Sequence, residues 1–245
     1  MRRLGNVIRR TWMVTCVAVL GMMTLNSCLK DDQDGVFQVS AVRALNAVPG
    51  MGQLDIGLND SWLNYDPQTD RVENFAYRDT LPYKRAWPGM RLVRVFKRGD
   101  ISDKGLLAKE NAELVPGEFY SVFVVGKEDD VDLITVRDDL TDPVAGKAKI
   151  RFANLSPDAP AVDFHIGEMD TVIASDIAFK DIEGFSSIEG GKAYTFHISK
   201  HSNDRVLYTF QFTPLEGMIY TIWLGGLVES EGNADVALNH DMIVH

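Results

Sequence analysis

Cysteine is almost missing from this chain of 245 residues: the two it has, Cys16 and Cys28, both fall within the first 28 positions. Everything after them must hold together without a disulfide and offers neither a thiolate metal site nor a cysteine nucleophile. Positive charge is also in short supply, with 25 lysines and arginines against 35 acids and a net charge of −10. Arg2, Arg3, Arg9 and Arg10 stand at the extreme N-terminus, so the body is more acidic still. Such a surface repels phosphate backbones and anionic headgroups, which excludes nucleic acid as a partner and disfavours electrostatic attachment to membranes. The chain has no G-x-S-x-G, H-E-x-x-H, C-x-x-C or phosphate-binding glycine loop. With so many acids, almost any carboxylate pair could be nominated as general acid and base, so the pairs say nothing without geometry. No catalytic residue, cofactor or metal ligand is therefore assigned, and the expectation is a protein that is not an enzyme.

What the chain does have is alternation. From Lys149 to Ile166 it reads K-I-R-F-A-N-L-S-P-D-A-P-A-V-D-F-H-I. Ile150 and Phe152 fall on one face of an extended segment, and Val162, Phe164 and Ile166 on one face of another. Ser156-Pro157-Asp158 between them has the residues of a type I turn, and Pro160 suits the start of a strand rather than its interior. A weaker copy lies earlier: with Val42 set against Ile150, Arg43 meets Arg151, Asn46 meets Asn154, Pro49 meets Pro157 and Asp55 meets Asp163. Leu114-Val115-Pro116-Gly117-Glu118-Phe119-Tyr120 likewise parallels Leu215-Glu216-Gly217-Met218-Ile219-Tyr220, with Gly126 opposite Gly226. A repeat of about one hundred residues is domain-sized, too long for a solenoid.

Ser156-Pro157-Asp158-Ala159-Pro160-Ala161-Val162-Asp163 resembles the signature of domain-of-unknown-function family 4397. The resemblance implies an immunoglobulin-like β-sandwich, often in tandem, in secreted or cell-envelope bacterial proteins, and brings no catalytic residues. The second copy has the motif in full. The first keeps Arg43, Asn46, Pro49 and Asp55 but has Val48, Gly50, Met51 and Gly52 at four motif positions.

The N-terminus adds an address. Four arginines precede an uncharged run from Thr11 to Leu25, the length of a signal peptide and short of the roughly 20 residues of a membrane span. Leu25-Asn26-Ser27-Cys28 resembles a bacterial lipobox, in which the cysteine thiol receives a diacylglycerol; Lys30-Asp31-Asp32-Gln33-Asp34 resembles the surface-export cluster of Bacteroidetes-type lipoproteins. The alternatives are a helical thiol at Cys28 and a merely solvated tether. The expected organisation is a lipoprotein signal peptide over 1–28, an acidic tether over 29–38, a first immunoglobulin-like domain over 39–141 and a second over 147–245. The expected location is the outer membrane, anchored by lipid at Cys28 and facing outward.

Strands are expected at Leu54–Leu58, Val72–Tyr77, Met90–Lys97, Leu106–Leu114, Glu118–Val125 and Val131–Val136. In the second copy they are expected at Lys147–Leu155, Ala161–Ile166, Thr171–Ala174, Ala193–Ser199, Val206–Thr213, Ile219–Gly225 and Ala234–Asn239. Short strands at this spacing, with Gly, Asn and Asp turns, describe an all-β fold of two tandem sandwiches. The joint, Asp138 to Gly146, is short, so the two are expected nearly end to end.

Candidate contacts are few. Trp62 and Tyr65, among Asn59, Asp60 and Asn64, could stack on a sugar while the amides take its hydroxyls; alternatively Trp62 caps the core. Asp79-Thr80-Leu81 and Asp170-Thr171-Val172 resemble the acceptor tripeptide of Bacteroidetes-type O-glycosylation, with Thr80 and Thr171 as acceptors. Glu128, Asp129, Asp130 and Asp132, and Asp138, Asp139 and Asp142 at the joint, are oxygen-rich enough to weigh for calcium but lack the D-x-D-x-D-G spacing. His197 and His201 are spaced i, i+4 on a strand, where that spacing does not converge. The leading expectation is an extracellular binding, adhesion or scaffold module. The alternative is a glycan-capture lipoprotein, so the partners expected are the membrane through its anchor and an extracellular protein or polysaccharide.

Overall fold

The computed structural model describes residues 38–167 and 171–245. The signal peptide, Cys28 and nearly all of the acidic tether lie outside the described residues, as does Asp170. The first half contributes β1 (Ser40–Asn46), β2 (Leu54–Leu58), the short pieces β3 (Ser61–Trp62), β4 (Tyr65–Asp66) and β5 (Arg71–Val72), then β6 (Thr80–Ala86), β7 (Gly89–Lys97), β8 (Leu106–Leu114), β9 (Phe119–Lys127) and β10 (Asp130–Asp138). The second half contributes β11 (Lys147–Asn154), β12 (Val162–Ile166), β13 (Thr171–Ile177), β14 (Ser186–Glu189), β15 (Tyr194–Lys200), β16 (Val206–Phe212), β17 (Ile219–Gly225) and β18 (Asn239–Val244). No helix occurs among the described residues.

The two halves have the same topology. Sheets of order β10-β9-β1-β6 and β3-β2-β7-β8 form one sandwich, and β14-β11-β17-β18 and β13-β12-β15-β16 form the other. In each, the first strand runs parallel to the penultimate one, Ala44 beside Val122 and Phe152 beside Ile222, while the remaining pairs in these four sheets are antiparallel.

The shared motif residues hold this plan in place. Asn46 and Asn154 are buried; each side-chain oxygen accepts the amide two residues on, and each side-chain nitrogen donates to a distant carbonyl, of Phe75 and Ile177. The Asp55 carboxylate accepts the Gly99 amide and pairs with Arg98; the Asp163 carboxylate accepts Ser175 and the Asp176 amide. The Tyr120 and Tyr220 hydroxyls accept the amides of Val115 and Leu215, a tyrosine corner in both halves. Gly126 and Gly226 sit at positive φ, where a side chain would meet the carbonyl oxygens of Asp130 and Ala237 at 2.0 and 2.2 Å.

Two expected strands are displaced. The stretch from 73 to 79 is an arch whose buried Phe75 plugs the sandwich, its amide bound by Gln53 and the neighbouring Glu73 carbonyl by Arg98. The last strand lies at β18 instead of Ala234–Asn239. The edge strands β6 and β14 were not expected: β6 contains Pro82 and exposed charge, which suit an edge and hide the alternation.

The halves do not stand end to end. Leu45, Ala47, Phe123 and Val125 from one half and Ala153, Leu155, Trp223 and Ile243 from the other form a common buried cluster. Val122 and Val124 face the first sandwich's own core while Phe123 and Val125 face its neighbour. The layers therefore run outer, central, central, outer. Each fully buried large apolar side chain contributes about 1.5–3 kcal/mol.

Inside that contact a ring of hydrogen bonds closes on itself. Arg151 donates from Nε to Thr221 Oγ1 (2.7 Å) and from Nη2 to Asp138 Oδ1 (2.6 Å). Tyr83 donates to Asp138 Oδ2 (2.6 Å), which also accepts Ser121 (2.7 Å). With the tyrosine proton committed, His245 Nδ1–H must donate to Tyr83 (2.8 Å), and Nε2 must accept from Thr221 (2.7 Å). The ring thus specifies a neutral imidazole. Burial lowers the His245 pKa to about 3, and burial followed by the Asp138 charge raises that of Tyr83. Around it Arg43 donates to the Val244 carbonyl, Arg78 pairs with Asp241, and Lys180 at the position matching Arg78 pairs with Asp132.

Because the folded chain binds the His245 proton less readily than the unfolded chain, whose value is near 6.5, this group's stabilisation is complete above about pH 6.5 and declines as pH falls toward 3. Urea midpoints of wild type should therefore drop between pH 7 and pH 4 by more than those of His245→Gln, which has no titrating ring. Equal drops would show that the ring does not require a neutral residue.

Candidate binding surface

The outer face of β3-β2-β7-β8 presents Trp62. Its backbone pairs with Gly57 across the β2–β3 edge, and Gly57 pairs with Arg94 on the other side. Gly57 leaves room for the indole: a Cβ there would already touch the ring at 3.5 Å. The ring meets Phe96 edge-on, centroids 5.8 Å apart, and Arg94 lies over Phe96 at 5.7 Å. Phe96 is buried while Trp62 remains 40% exposed. The indole is thus propped on the sheet's outer face and does not cap the core. Gly57 inside a strand pattern was the available signal of a close approach; Phe96 and Arg94 gave none.

The other members of the expected sugar site do not gather around it. Asn64 is 1% exposed; its amide accepts Ile56 N and donates to Leu54 O and Asp55 Oδ1, holding β2. Asn59, at positive φ, accepts the Leu92 amide. Tyr65 lies in the β4–β5 hairpin with its hydroxyl donated to Asp70 (2.6 Å), which raises its pKa, and no ring contact joins it to Trp62 among the described residues. Thr80 and Thr171 are both exposed at the first residue of an edge strand, β6 and β13.

The acidic clusters are committed elsewhere. Asp138 is the buried partner of Arg151. Asp139 accepts the Thr141 hydroxyl and amide and pairs with Lys149, which lowers its pKa to about 2. Asp132 binds Lys180. Among the described residues no group of three or more His, Cys, Asp or Glu converges as a metal site would. A cleft of about 580 Å³ is lined by Glu118, Phe119, Arg137, Asp138, Asp139 and Thr141. Its carboxylates are paired with Arg137, Arg151 and Lys149, and Asp139 stays ionised, which ill suits a general acid.

On the matching face of the second half, His165 is buried with Nε2 on Ser199, and its cross-strand neighbours are Val172 and His197. His197 contacts Thr209. His201 contacts Asp163, and that hydrogen bond raises the His201 pKa. Burial pushes the Asp163 carboxyl up, but hydrogen bonds from Ser175, the Asp176 amide and His201 outweigh it and leave the pKa low.

The model of the domain-of-unknown-function family DUF4397 matches residues 40–165, the first sandwich together with the Ser156–Asp163 motif. No curated protein matches the chain. Solved structures found similar include an alpha-glucan-recognising family 41 carbohydrate-binding module from a streptococcal virulence factor (13% identity, 75% of this chain and 92% of that one, TM-score 0.24). A family 26 module of Eubacterium rectale Amy13K in complex with maltoheptaose gives 8%, 84%, 96% and 0.25 for the same quantities. The fimbrial anchor protein Mfa2 of Porphyromonas gingivalis gives 9%, 84%, 95% and 0.22. At scores this low the likenesses carry no weight for this chain.

Asn64→Ala should lower folding stability by about 1–3 kcal/mol, because it strands the buried Ile56 amide and removes a donor from Asp55, while the Leu54 carbonyl keeps Arg98. Urea denaturation would measure it, and an unchanged midpoint would return Asn64 to the list of surface contacts.

Proposed function

The chain belongs to the DUF4397 family, a domain of unknown function, and on that premise we propose that it is a non-catalytic binding or scaffold module, lipid-anchored at Cys28 to the outer membrane and facing outward. Its two domains, 39–141 and 147–245, act as one rigid block. The observation that carries this reading is how the buried ionisable groups are used. Arg151, Asp138, Tyr83 and His245 are closed into a hydrogen-bonded ring between the sandwiches, and the other carboxylates of the adjoining cleft, Glu118 and Asp139, are paired with Arg137 and Lys149. The chemistry of these side chains goes into cohesion. What the outer faces offer a partner is shape, with edge strands carrying Thr80 and Thr171 as glycan acceptors.

A second reading, glycan capture, is favoured by one feature, the exposed Trp62 indole held beside Gly57 and edge-on to Phe96. A rigid aromatic face of this kind stacks on a pyranose ring. Tyr65 would contribute from the adjacent hairpin.

Metabolic palmitate labelling should mark the wild-type protein and leave Cys28→Ala unmarked, and external protease should reach the labelled protein on intact cells. An unlabelled wild type would sink the anchor, and protection from protease would reverse its orientation. For the second reading, Trp62→Ala with Tyr65→Ala should abolish retardation in polysaccharide affinity gels while leaving the urea midpoint nearly unchanged. Wild-type migration that no polysaccharide retards would remove it.

A further inference from the structure

Four exposed apolar side chains encircle the point where the chain enters the first sandwich. Ser40 pairs with Ala86, so Trp87 follows directly beside that point. The Ser40 hydroxyl donates to the Val115 carbonyl (2.8 Å), and the Gly117 amide to the Val39 carbonyl (3.1 Å). Ala41 lies level with Phe119 on β9, and Met90, the second residue of β7, lies next to the same corner, paired with Glu113. Trp87 and Met90 are each 62% exposed, and Val115 and Phe119 are exposed as well. These are turn and strand-end residues, and the first sandwich's core is complete without them.

We propose that this rim, Trp87, Met90, Val115 and Phe119, rests on the lipid surface to which the protein is anchored. The inference depends on lipid attachment at Cys28. Only residues 29–37 separate that cysteine from Gln38, a reach of at most about 35 Å. Gln38 lies beside Gly117, in the turn between the rim residues Val115 and Phe119: its side-chain oxygen is 3.6 Å from where a Gly117 Cβ would be. The tether therefore brings this end of the block to the membrane before any other part. Tryptophan prefers the headgroup boundary, where its ring is half in hydrocarbon and its N–H stays wet. The charge fits too. Although the body is acidic, the rim has Arg85, Arg91 and Arg137 beside Glu113 and Glu118, with Arg91 bound to the Trp87 and Pro88 carbonyls and Arg137 to Glu118. With Asp139 beside Phe119 and Arg137, the acids and bases named here balance among the described residues. The contact orients the block, directing the opposite end and the outer faces away from the membrane.

The test uses the mature lipidated protein reconstituted in phosphatidylcholine vesicles whose acyl chains carry bromine, a short-range quencher of indole emission. Wild type should lose emission, Trp87→Phe should abolish that loss, and Trp62→Phe should leave it intact. Labelled protein with no quenching, or quenching indifferent to Trp87→Phe, would overturn the proposal while leaving the anchor standing. Protein without palmitate would overturn both. A detergent-solubilised wild type that sediments as a dimer and becomes monomeric on Trp87→Glu, without bromine quenching, would assign the rim to a second copy and overturn the lipid contact.

Discussion

The closed ring through Arg151, Thr221, His245, Tyr83 and Asp138 is the constraint on which the rest of the molecule depends. A buried guanidinium and a buried carboxylate each cost several kcal/mol to remove from water, and their attraction offsets this only with good geometry and every remaining donor and acceptor engaged. Here each proton has one place to go, so the ring tolerates one arrangement of the two central sheets. The apolar cluster around Phe123 and Trp223 gives the adhesion. The ring sets the register, and it draws in the C-terminal residue, so that the last strand of one half is fastened to β6 of the other through His245 and Tyr83.

Seen from that contact, the repeated motif has a structural meaning. Arg43 and Arg151 occupy matching positions and both point into the space between the halves, where Arg43 lies over Tyr83 and Arg151 over Phe185. Asn46 and Asn154 fasten the strand exit to the arch that follows, and Asp55 and Asp163 tie the second strand to a neighbouring turn. Asp158 does not fold back on its own turn alone; it also accepts the amides of Val228 and Glu229 in the connection before β18. A signature of polar residues reads at first like a site. In this chain its side chains are consumed as internal fasteners, because a sandwich without disulfides must fix its loops by hydrogen bonds.

The strands with clear alternation or an unbroken apolar run were legible from the residues alone: β2, β7, β9, β11, β12, β15 and β17 lie close to where the pattern puts them. Of the edges, β8, β10, β13 and β16 were legible too, but β6, β14 and β18 were not, since Pro82 in β6 and the polar Asn239-His240-Asp241 opening of β18 break the rule that identifies a strand. The arrangement of the halves was hidden for a subtler reason. An apolar run such as that of β9 says that both faces are buried and cannot say against what. Reading the second face as part of the same sandwich left no surface for the neighbour, so the short joint suggested an end-to-end chain. The burial of Asp138 was hidden with it, since an acid at a short joint reads as solvated and here it is the counter-ion of Arg151. Of the candidate site, Trp62 was legible as an aromatic in a polar loop, while its support was not, because Phe96 and Gly57 adjoin it only through strand pairing.

The comparison between the halves also locates where they differ in use. Their cores, corners and asparagine fasteners correspond, yet the same row across the outer sheet reads Trp62, Gly57, Arg94 in one and Val172, His165, His197 in the other. In the first half a glycine makes room for an indole that lies over the sheet; in the second an imidazole fills that space itself and a valine edge strand runs past it. In one half a Cβ at Gly57 would already stand in van der Waals contact with the indole at 3.5 Å, and in the other the buried imidazole of His165 is fixed on Ser199. Two copies with one plan have opposite solutions at this row. The block therefore has a chemically distinct outer face on each side, one with an exposed indole over a glycine and one with a buried imidazole beside a valine.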